Sequence, residues 1–234
     1  MTTVAVHPGR SAADAPSSGG LVTTAARLYA EGLRALAHGR PHGLTVRDHD
    51  GRTAPLDLDD WHQQERPGDA GLLARCAGPT LDAGCGPGRL AAALAARGLP
   101  VLGIDIIPAA VASVRRRGAT ALRRSMFSRL PGEGRWAAVL LADGNVGIGG
   151  DPSRTLRRAA TLTSADGRIL VELAAPGSTR RFQLRLEQGD RHSQWLDWAQ
   201  LGADDAPTAA ASARLVVRER WEEHSRWFAT LVHA

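Results

Sequence analysis

The chain has 234 residues, a formal net charge of +5, and 43% hydrophobic and 23% charged residues. This length favours one domain with an appendage, whose core needs no disulfide or structural metal for stability. The longest uninterrupted apolar runs contain seven residues, which excludes a transmembrane helix of about 20 residues.

The sequence of the first third of the chain predicts a disordered tail followed by a folded cap segment. Residues 1–20 are rich in Ala, Ser, Thr, Gly and Pro, a composition that buries too little apolar surface to fold, and we expect them to be disordered. Residues 21–78 predict an N-terminal helical and hairpin cap. Its predicted elements are an amphipathic helix over 21–37, a hairpin of 44–47 and 52–56 around Asp50-Gly51, a short helix over 59–65, and a helix that Asp69 caps and that ends at Cys76.

From residue 79 onward the pattern alternates short apolar strands with helices of about ten residues, which is typical of βαβ units. It predicts an α/β fold with a Rossmann-like, doubly wound, mostly parallel sheet over 79–234. A C-terminal antiparallel hairpin completes it. The predicted strands are 80–83, 101–104, 119–124, 136–142, 167–173, 181–188, 193–198, 214–222 and 225–232, and the predicted helices are 88–97, 108–117, 152–163 and 204–213.

The most informative segment is a glycine-rich turn between a predicted strand and a predicted helix. Gly84, Gly86 and Gly88 alternate there. Glycine adopts positive φ and lets a ligand approach the backbone, and the following helix begins with free N–H groups and a positive dipole end. The turn therefore predicts a ligand site at the carboxyl end of the first core strand.

Two ligand classes are compatible with these glycines. Gly86-x-Gly88-x-x-Ala91, with Asp105 placed 19 residues after Gly86, also fits the fingerprint of a nicotinamide dinucleotide enzyme. Asp82 favours the other class, because its carboxylate would repel a pyrophosphate and attract a cationic ligand. An NAD(P)-dependent oxidoreductase remains the alternative.

Asp82, Gly84, Gly86 and Gly88 form Asp-x-Gly-x-Gly-x-Gly, which resembles the first motif of the class I S-adenosylmethionine-dependent methyltransferases. Asp105, at the end of the next strand, resembles the second motif, whose carboxylate takes the ribose hydroxyls. The segments 143–152 and 221–228 also resemble a group of uncharacterised actinobacterial methyltransferases. The resemblance implies a Rossmann-like fold, S-adenosylmethionine as cofactor and S-adenosylhomocysteine as product.

The same resemblance implies a set of residues around the methyl donor. Ser125 and Met126 follow the third strand and are expected at the adenine. Ala142 and Asp143 end the fourth strand and are expected near the methionine part. The full expected donor-binding set is Asp82, Gly84, Cys85, Gly86, Gly88, Asp105, Ile106, Ser125, Met126, Ala142 and Asp143.

Methyl transfer from a sulfonium relies mainly on alignment of the reacting atoms, so a general base is needed only if the acceptor must lose a proton. Asp143 and His62 are the candidates for a general base, although Asp143 is better suited to bind the donor's amine. His62 and Trp61 together would form part of a lid. Cys85 has no neighbouring base in the sequence, and we do not expect it to be a nucleophile.

All 29 basic residues are arginine and they are spread along the chain. This argues against a nucleic-acid surface. The two cysteines and the absence of a visible signal segment lead us to expect a reduced, cytoplasmic setting. We expect a small-molecule acceptor, no membrane partner and no metal, and leave monomer and homodimer open.

Overall fold

The computed structural model describes residues 21–234, so the predicted disorder of residues 1–20 lies outside the described part. Strands form two sheets, and helices pack against both. The strands are β1 (Leu21–Thr23), β2 (Thr45–Asp48), β3 (Thr53–Pro55), β4 (Thr80–Ala83), β5 (Val101–Asp105), β6 (Thr120–Arg123), β7 (Trp136–Leu141), β8 (Thr163–Leu173), β9 (Arg180–Gln188), β10 (Arg191–Ser193), β11 (Leu196–Gln200), β12 (Leu215–Glu223) and β13 (Arg226–His233). The helices are α1 (Ala25–Ala37), α2 (Leu58–His62), α3 (Asp69–Ala74), α4 (Arg89–Ala96), α5 (Pro108–Arg116), α6 (Pro152–Leu162) and α7 (Ala206–Ser212).

The larger sheet, here called the main sheet, has the order β12-β13-β8-β7-β4-β5-β6. Strands β4 to β8 are parallel to one another, and the β12–β13 hairpin is antiparallel and joins at β8. The predicted Rossmann-like sheet with a C-terminal hairpin is therefore confirmed. The strand order reverses between β4 and β7, and ligands bind at such a switch point, beyond the carboxyl ends of the strands.

Local signals account for the elements around the switch point. Strand β7 is apolar and its last four residues are buried, as expected for a strand covered on both faces. Pro108 occupies the first turn of α5, where its missing N–H costs nothing. At α6 the carboxylate of Asp151 accepts the N–H of Arg154 at 3.0 Å, which caps the helix.

The second sheet, here called the cap sheet, has the order β1-β10-β9-β2-β3, and β11 pairs with the other part of β9. The predicted β2–β3 hairpin is present. The cap is nevertheless not confined to residues 21–78, because β9, β10 and β11 return from the later part of the chain to complete it. Within residues 21–234, no helix is long and apolar enough to cross a membrane.

Several predicted boundaries were wrong. The short helix expected over 59–65 is Leu58–His62, the helix expected to end at Cys76 ends at Ala74, and the strand expected over 193–198 is divided into β10 and β11. The helix expected over 21–37 begins only at Ala25, because Thr24 caps it and residues 21–23 pair with β10 instead. Asp69 does not cap α3. It is the first helical residue, after Gly68 at φ 89°, and its carboxylate is buried among arginines.

A cluster of buried charges joins the C-terminal hairpin to the switch point. Arg226 on β13 binds Glu172 on β8 through two hydrogen bonds of 2.9 Å and binds Asp69 at 2.8 Å. Arg89 on α4 connects Asp69 to the end of β7, because it also binds Asp143. The buried ion cluster comprises three arginines and three carboxylates, namely Arg66, Asp69, Arg89, Asp143, Glu172 and Arg226.

The partners in this cluster compensate for its burial. Burial by itself would raise the pKa of Asp69, but hydrogen bonds from Arg89 and Arg226 hold it below its usual value. Removing one partner of a buried pair leaves an uncompensated charge, which is strongly destabilising.

We therefore predict that Arg226→Ala lowers the free energy of unfolding by about 3–5 kcal/mol, because Glu172 and Asp69 lose their shared partner. Urea unfolding followed by circular dichroism measures this. Arg218→Ala is the matched control, since Arg218 is exposed on the same hairpin, and it should change stability by no more than about 0.5 kcal/mol. Equal stability of both variants would contradict the role given to the cluster.

Candidate functional site

The glycine loop (Gly84–Gly88) follows β4 and leads into α4. Its three alternating glycines have φ values of 77°, 51° and 95°, which is the left-handed region that disfavours other residues. A Cβ at Gly84 would lie 2.7 Å from Asn145 Nδ2, and one at Gly88 would lie 2.7 Å from Val114 Cγ2. The loop therefore requires glycine for both backbone conformation and close packing.

Asn145 holds this loop from the other side of the switch point. Its Nδ2 donates to the carbonyl oxygens of Ala83 at 3.1 Å and Gly84 at 2.9 Å. The side chain thus links the end of β7 to the end of β4. Because the amide is engaged with the loop, its role is to position the backbone.

A cavity of about 430 Å³ opens beside the glycine loop, between the main sheet and the cap sheet. Ten of the eleven residues predicted to bind the donor line it. Gly88 does not line the cavity. It lies at the start of α4 and packs against Val114 on α5. The predicted residues on the cavity wall are Asp82, Gly84, Cys85, Gly86, Asp105, Ile106, Ser125, Met126, Ala142 and Asp143.

Asp105 lies at the end of β5 and faces the glycine loop. Its Oδ2 accepts the N–H of Gly86 at 3.0 Å, and its Oδ1 accepts the N–H of Ile107 at 2.8 Å. Burial raises the pKa of this carboxyl, although these backbone hydrogen bonds oppose the shift. Each oxygen retains a free lone pair, so the carboxylate is able to accept two further hydroxyl donors.

Asp82 is the most unusual group on the cavity wall. It is 3% exposed, and its Oδ2 is buried with no hydrogen-bond partner among residues 21–234. Burial, followed by the negative charge of Asp143, raises the pKa of its carboxyl to about 7. A buried acceptor without a partner is costly, and a cationic ligand in the cavity would provide the missing partner.

Asp143 lines the cavity, but its carboxylate is already engaged. It accepts from Arg89 at 2.7 and 2.9 Å and lies 3.2 Å from Arg66. Its backbone N–H donates to Glu172 at 2.7 Å, which holds the residue at φ 53°. Arg89 and Arg66 hold this carboxylate in place, an arrangement that suits charge pairing better than proton removal.

The second candidate base is not at the cavity. His62 ends α2 and is absent from the cavity wall. Its backbone carbonyl accepts from Arg117, and burial, together with the positive charges of Arg117 and Arg116, lowers the pKa of its ring. The neighbouring Trp61 does line the cavity, so of the predicted pair only the indole lies over the site.

Cys85 lies on the cavity wall but is 8% exposed. Burial raises the pKa of its thiol far above the usual range, and the charges of Asp82 and Asp105 add to this. A thiol held protonated is not a nucleophile, which agrees with the interpretation from sequence.

The opposite wall of the cavity comes from segments to which the sequence assigned no site. Helix α1 contributes Tyr29, and β9 and β11 of the cap sheet contribute further apolar side chains. No motif marks these residues, because a strand that faces a ligand has the same alternating pattern as a strand that faces a core. The main residues missed on this wall are Tyr29, Val46, Leu56, Leu184, Leu186, Leu196 and Trp198.

Comparison with known proteins identifies this architecture. Residues 80–167 match a family model described as a methyltransferase domain. The matched segment contains the glycine loop, Asp82, Asp105 and Asp143, so it carries one complete wall of the cavity. No curated protein sequence matches the chain closely enough to count as a relative.

Solved structures extend the similarity beyond the matched segment. A SAM-dependent methyltransferase from Bacteroides fragilis, in complex with S-adenosyl-L-homocysteine, has a TM-score of 0.77 at 20% identity, with 93% of this chain and 100% of that chain covered. The 1,6-didemethyltoxoflavin-N1-methyltransferase of Burkholderia thailandensis has a TM-score of 0.57 at 20% identity, with coverages of 93% and 92%. The CcbJ methyltransferase of Streptomyces caelestis has a TM-score of 0.54 at 17% identity, with coverages of 73% and 100%. At these identities the likeness establishes the methyltransferase fold of the whole domain and cap.

We predict that Gly84→Ala weakens binding of S-adenosylhomocysteine at least 10-fold, because the added Cβ displaces Asn145 and with it the glycine loop. Isothermal titration calorimetry measures this. Gly98→Ala is the control: Gly98 also has a positive φ, of 75°, but has nothing within 4 Å of the added Cβ. Both variants should lose about 1–2 kcal/mol of stability from backbone strain. An equal loss of affinity in both would show that strain alone is responsible.

Proposed function

We propose that the protein is an S-adenosylmethionine-dependent methyltransferase that acts on a small molecule. The unpartnered carboxylate oxygen of Asp82, buried on the wall of a cavity beside the glycine loop, is the observation that carries this proposal. It favours a ligand with positive charge over the pyrophosphate of a nicotinamide dinucleotide, because like charges repel. The oxidoreductase alternative therefore loses its support.

Residues of the cavity wall have distinct tasks toward the donor. Asp82 binds the ammonium group, Asp143 lines the cavity beside it with its carboxylate held by Arg89, and Asp105 accepts the ribose hydroxyls beside the glycine loop. Ile106 is 58% exposed next to the cavity and, with Met126, covers the adenine ring. Ser125 lies beside the same ring. Such a set orients the donor's methyl group toward the cap sheet.

The donor supplies an activated methyl group: a lone pair of the acceptor bonds to the methyl carbon as the carbon–sulfur bond breaks, and its electron pair stays on sulfur. The chain's own residues bind and align the reactants and exclude water, and alignment alone supplies roughly 7–11 kcal/mol. Neither Asp143 nor His62 is required to remove a proton.

We propose a cytoplasmic location and a small-molecule acceptor on chemical grounds. Both cysteines are free and buried, which suits the reducing cytoplasm. The Burkholderia enzyme was solved with bound 1,6-didemethyltoxoflavin, and we propose a small-molecule acceptor here as well. We do not propose a nucleic-acid partner.

Replacement of Asp105 tests the donor site. We expect Asp105→Ala to weaken S-adenosylhomocysteine binding by about 1.5–3 kcal/mol, the loss of a charge-assisted pair of hydrogen bonds. Isothermal titration calorimetry measures the change. Asp166→Ala serves as the control, because Asp166 is an exposed aspartate in the first half of β8 and does not line the cavity. Wild-type protein that is folded but binds no S-adenosylhomocysteine would overturn the proposed function.

The pKa of Asp82 predicts a pH dependence for donor binding. Only the ionised carboxylate pairs with the donor's ammonium, and with a pKa of about 7 most Asp82 is protonated at pH 6 and ionised at pH 8. The affinity for S-adenosylhomocysteine should therefore rise up to about 10-fold from pH 6 to pH 8. Asp82→Asn should bind weakly at both values and show no such rise. A pH-independent affinity in the wild type would contradict the role of Asp82.

A further inference from the structure

The cavity has two walls of different chemistry, and the difference bears on the acceptor. The wall formed by the strand ends carries the carboxylates and the glycine loop. The opposite wall is formed by the cap sheet, α1 and the segment around α2. If the donor occupies the first wall, as proposed above, then the second wall meets the acceptor.

The cap sheet presents one continuous apolar face to the cavity. Strand register sets Leu184 on β9 opposite Leu196 on β11 and Leu186 on β9 opposite Val46 on β2. Side chains two residues apart on a strand lie on the same face, so Trp198 on β11 extends this surface beyond Leu196. All five residues line the cavity. Such a face favours an apolar ligand, because it offers no charged partner.

Aromatic side chains border this face. Trp198 belongs to β11 and its backbone bridges to Ile148 after the switch point. Tyr29 and Trp61 lie near each other, with ring centroids 6.4 Å apart and planes inclined by 40°. Aromatic side chains on a cavity wall offer flat apolar surfaces on which a planar ring can stack, so this border suits a flat ligand.

Trp61 adds one polar requirement. Its indole Nε1 is buried and has no hydrogen-bond partner among residues 21–234. An unpaired buried N–H donor is costly. A single accepting atom on the ligand, such as a ring nitrogen or a carbonyl oxygen, would satisfy it.

The same wall lacks a proton acceptor. No histidine lines the described cavity, and its three carboxylates all belong to the donor side. Among residues 21–234, Tyr29 is the only ionisable side chain on the cap side of the cavity. Burial, together with the charge of Asp105, raises the pKa of its phenol well above the usual value, so the hydroxyl stays protonated. The described residues of the cap side therefore offer no general base to the acceptor, which favours an acceptor that reacts without losing a proton first.

We propose that the acceptor is a neutral, planar heteroaromatic compound that stacks against Trp198 and accepts a hydrogen bond from Trp61. Its nucleophile is an uncharged nitrogen with a free lone pair. The lone pair of this atom forms the new bond to the methyl carbon, the carbon–sulfur electron pair stays on sulfur, and any proton of the acceptor passes to water.

Quinoline and naphthalene are probes for this site, because they share one shape and differ by one ring nitrogen. Their binding is measured by equilibrium dialysis with saturating S-adenosylhomocysteine. We expect both to bind the wild type, quinoline more tightly, and Trp198→Ala to weaken both at least 10-fold. Trp61→Phe, which removes the N–H, should weaken quinoline about 5-fold and leave naphthalene unchanged.

Trp195→Ala is the matched control, since Trp195 is 40% exposed and outside the cavity wall, and it should bind both probes like the wild type. Leu196→Ala replaces Trp198→Ala if the latter does not fold. Three results would overturn this inference. The first is that neither probe binds the wild type, and the second is that the Trp198 or Leu196 variant keeps wild-type affinity. The third is that Trp61→Phe affects both probes equally. S-adenosylhomocysteine affinity is measured in every variant and should be unchanged, so that a failure of donor binding is recognised separately as a failure of the proposed function.

Discussion

The structure around the switch point depends on the mutual neutralisation of six charges, five of them buried and the sixth, Asp143, partly exposed at the cavity. Three arginines and three carboxylates meet between α3, α4, β8, β13 and the end of β7. A buried charge without a partner costs several kcal/mol, so each member constrains the position of the others. Asp143 belongs both to this cluster and to the cavity wall. The cluster therefore connects the packing of the C-terminal hairpin to the shape of the proposed donor site.

Arg89 illustrates how packing and site are joined. It begins the helix that follows the glycine loop, is 3% exposed, and reaches from Asp69 to Asp143. The N-terminus of a helix favours a nearby negative charge. At the N-terminus of α4, the Arg89 guanidinium also pairs with the carboxylate of Asp143. The cavity wall formed by the strand ends is therefore polar. Among the described residues of this wall, Asp82 alone retains an unpartnered, buried carboxylate oxygen.

The cap sheet has the complementary character. Its strands come from residues 21–55 and 180–200, and its apolar face closes the cavity over the strand ends of the main sheet. Under the proposed function, the polar wall would bind the charged donor and the apolar, aromatic wall would meet the acceptor. Recognition of the two would then be divided between two sheets.

Sequence alone determined the parallel core of the main sheet and its terminal hairpin, and it placed ten of eleven predicted residues on one cavity wall. Glycine conformation, strand pattern and the spacing of Asp82 and Asp105 are local properties that can be read from a short stretch of sequence. Other features depended on contacts between distant residues. The pairing of β1 with β10, the burial of Asp69 and the distance of His62 from the cavity are examples. Only the tertiary structure brought β9 and β11 onto the N-terminal cap, since an alternating strand has the same pattern whether it faces a core or a ligand.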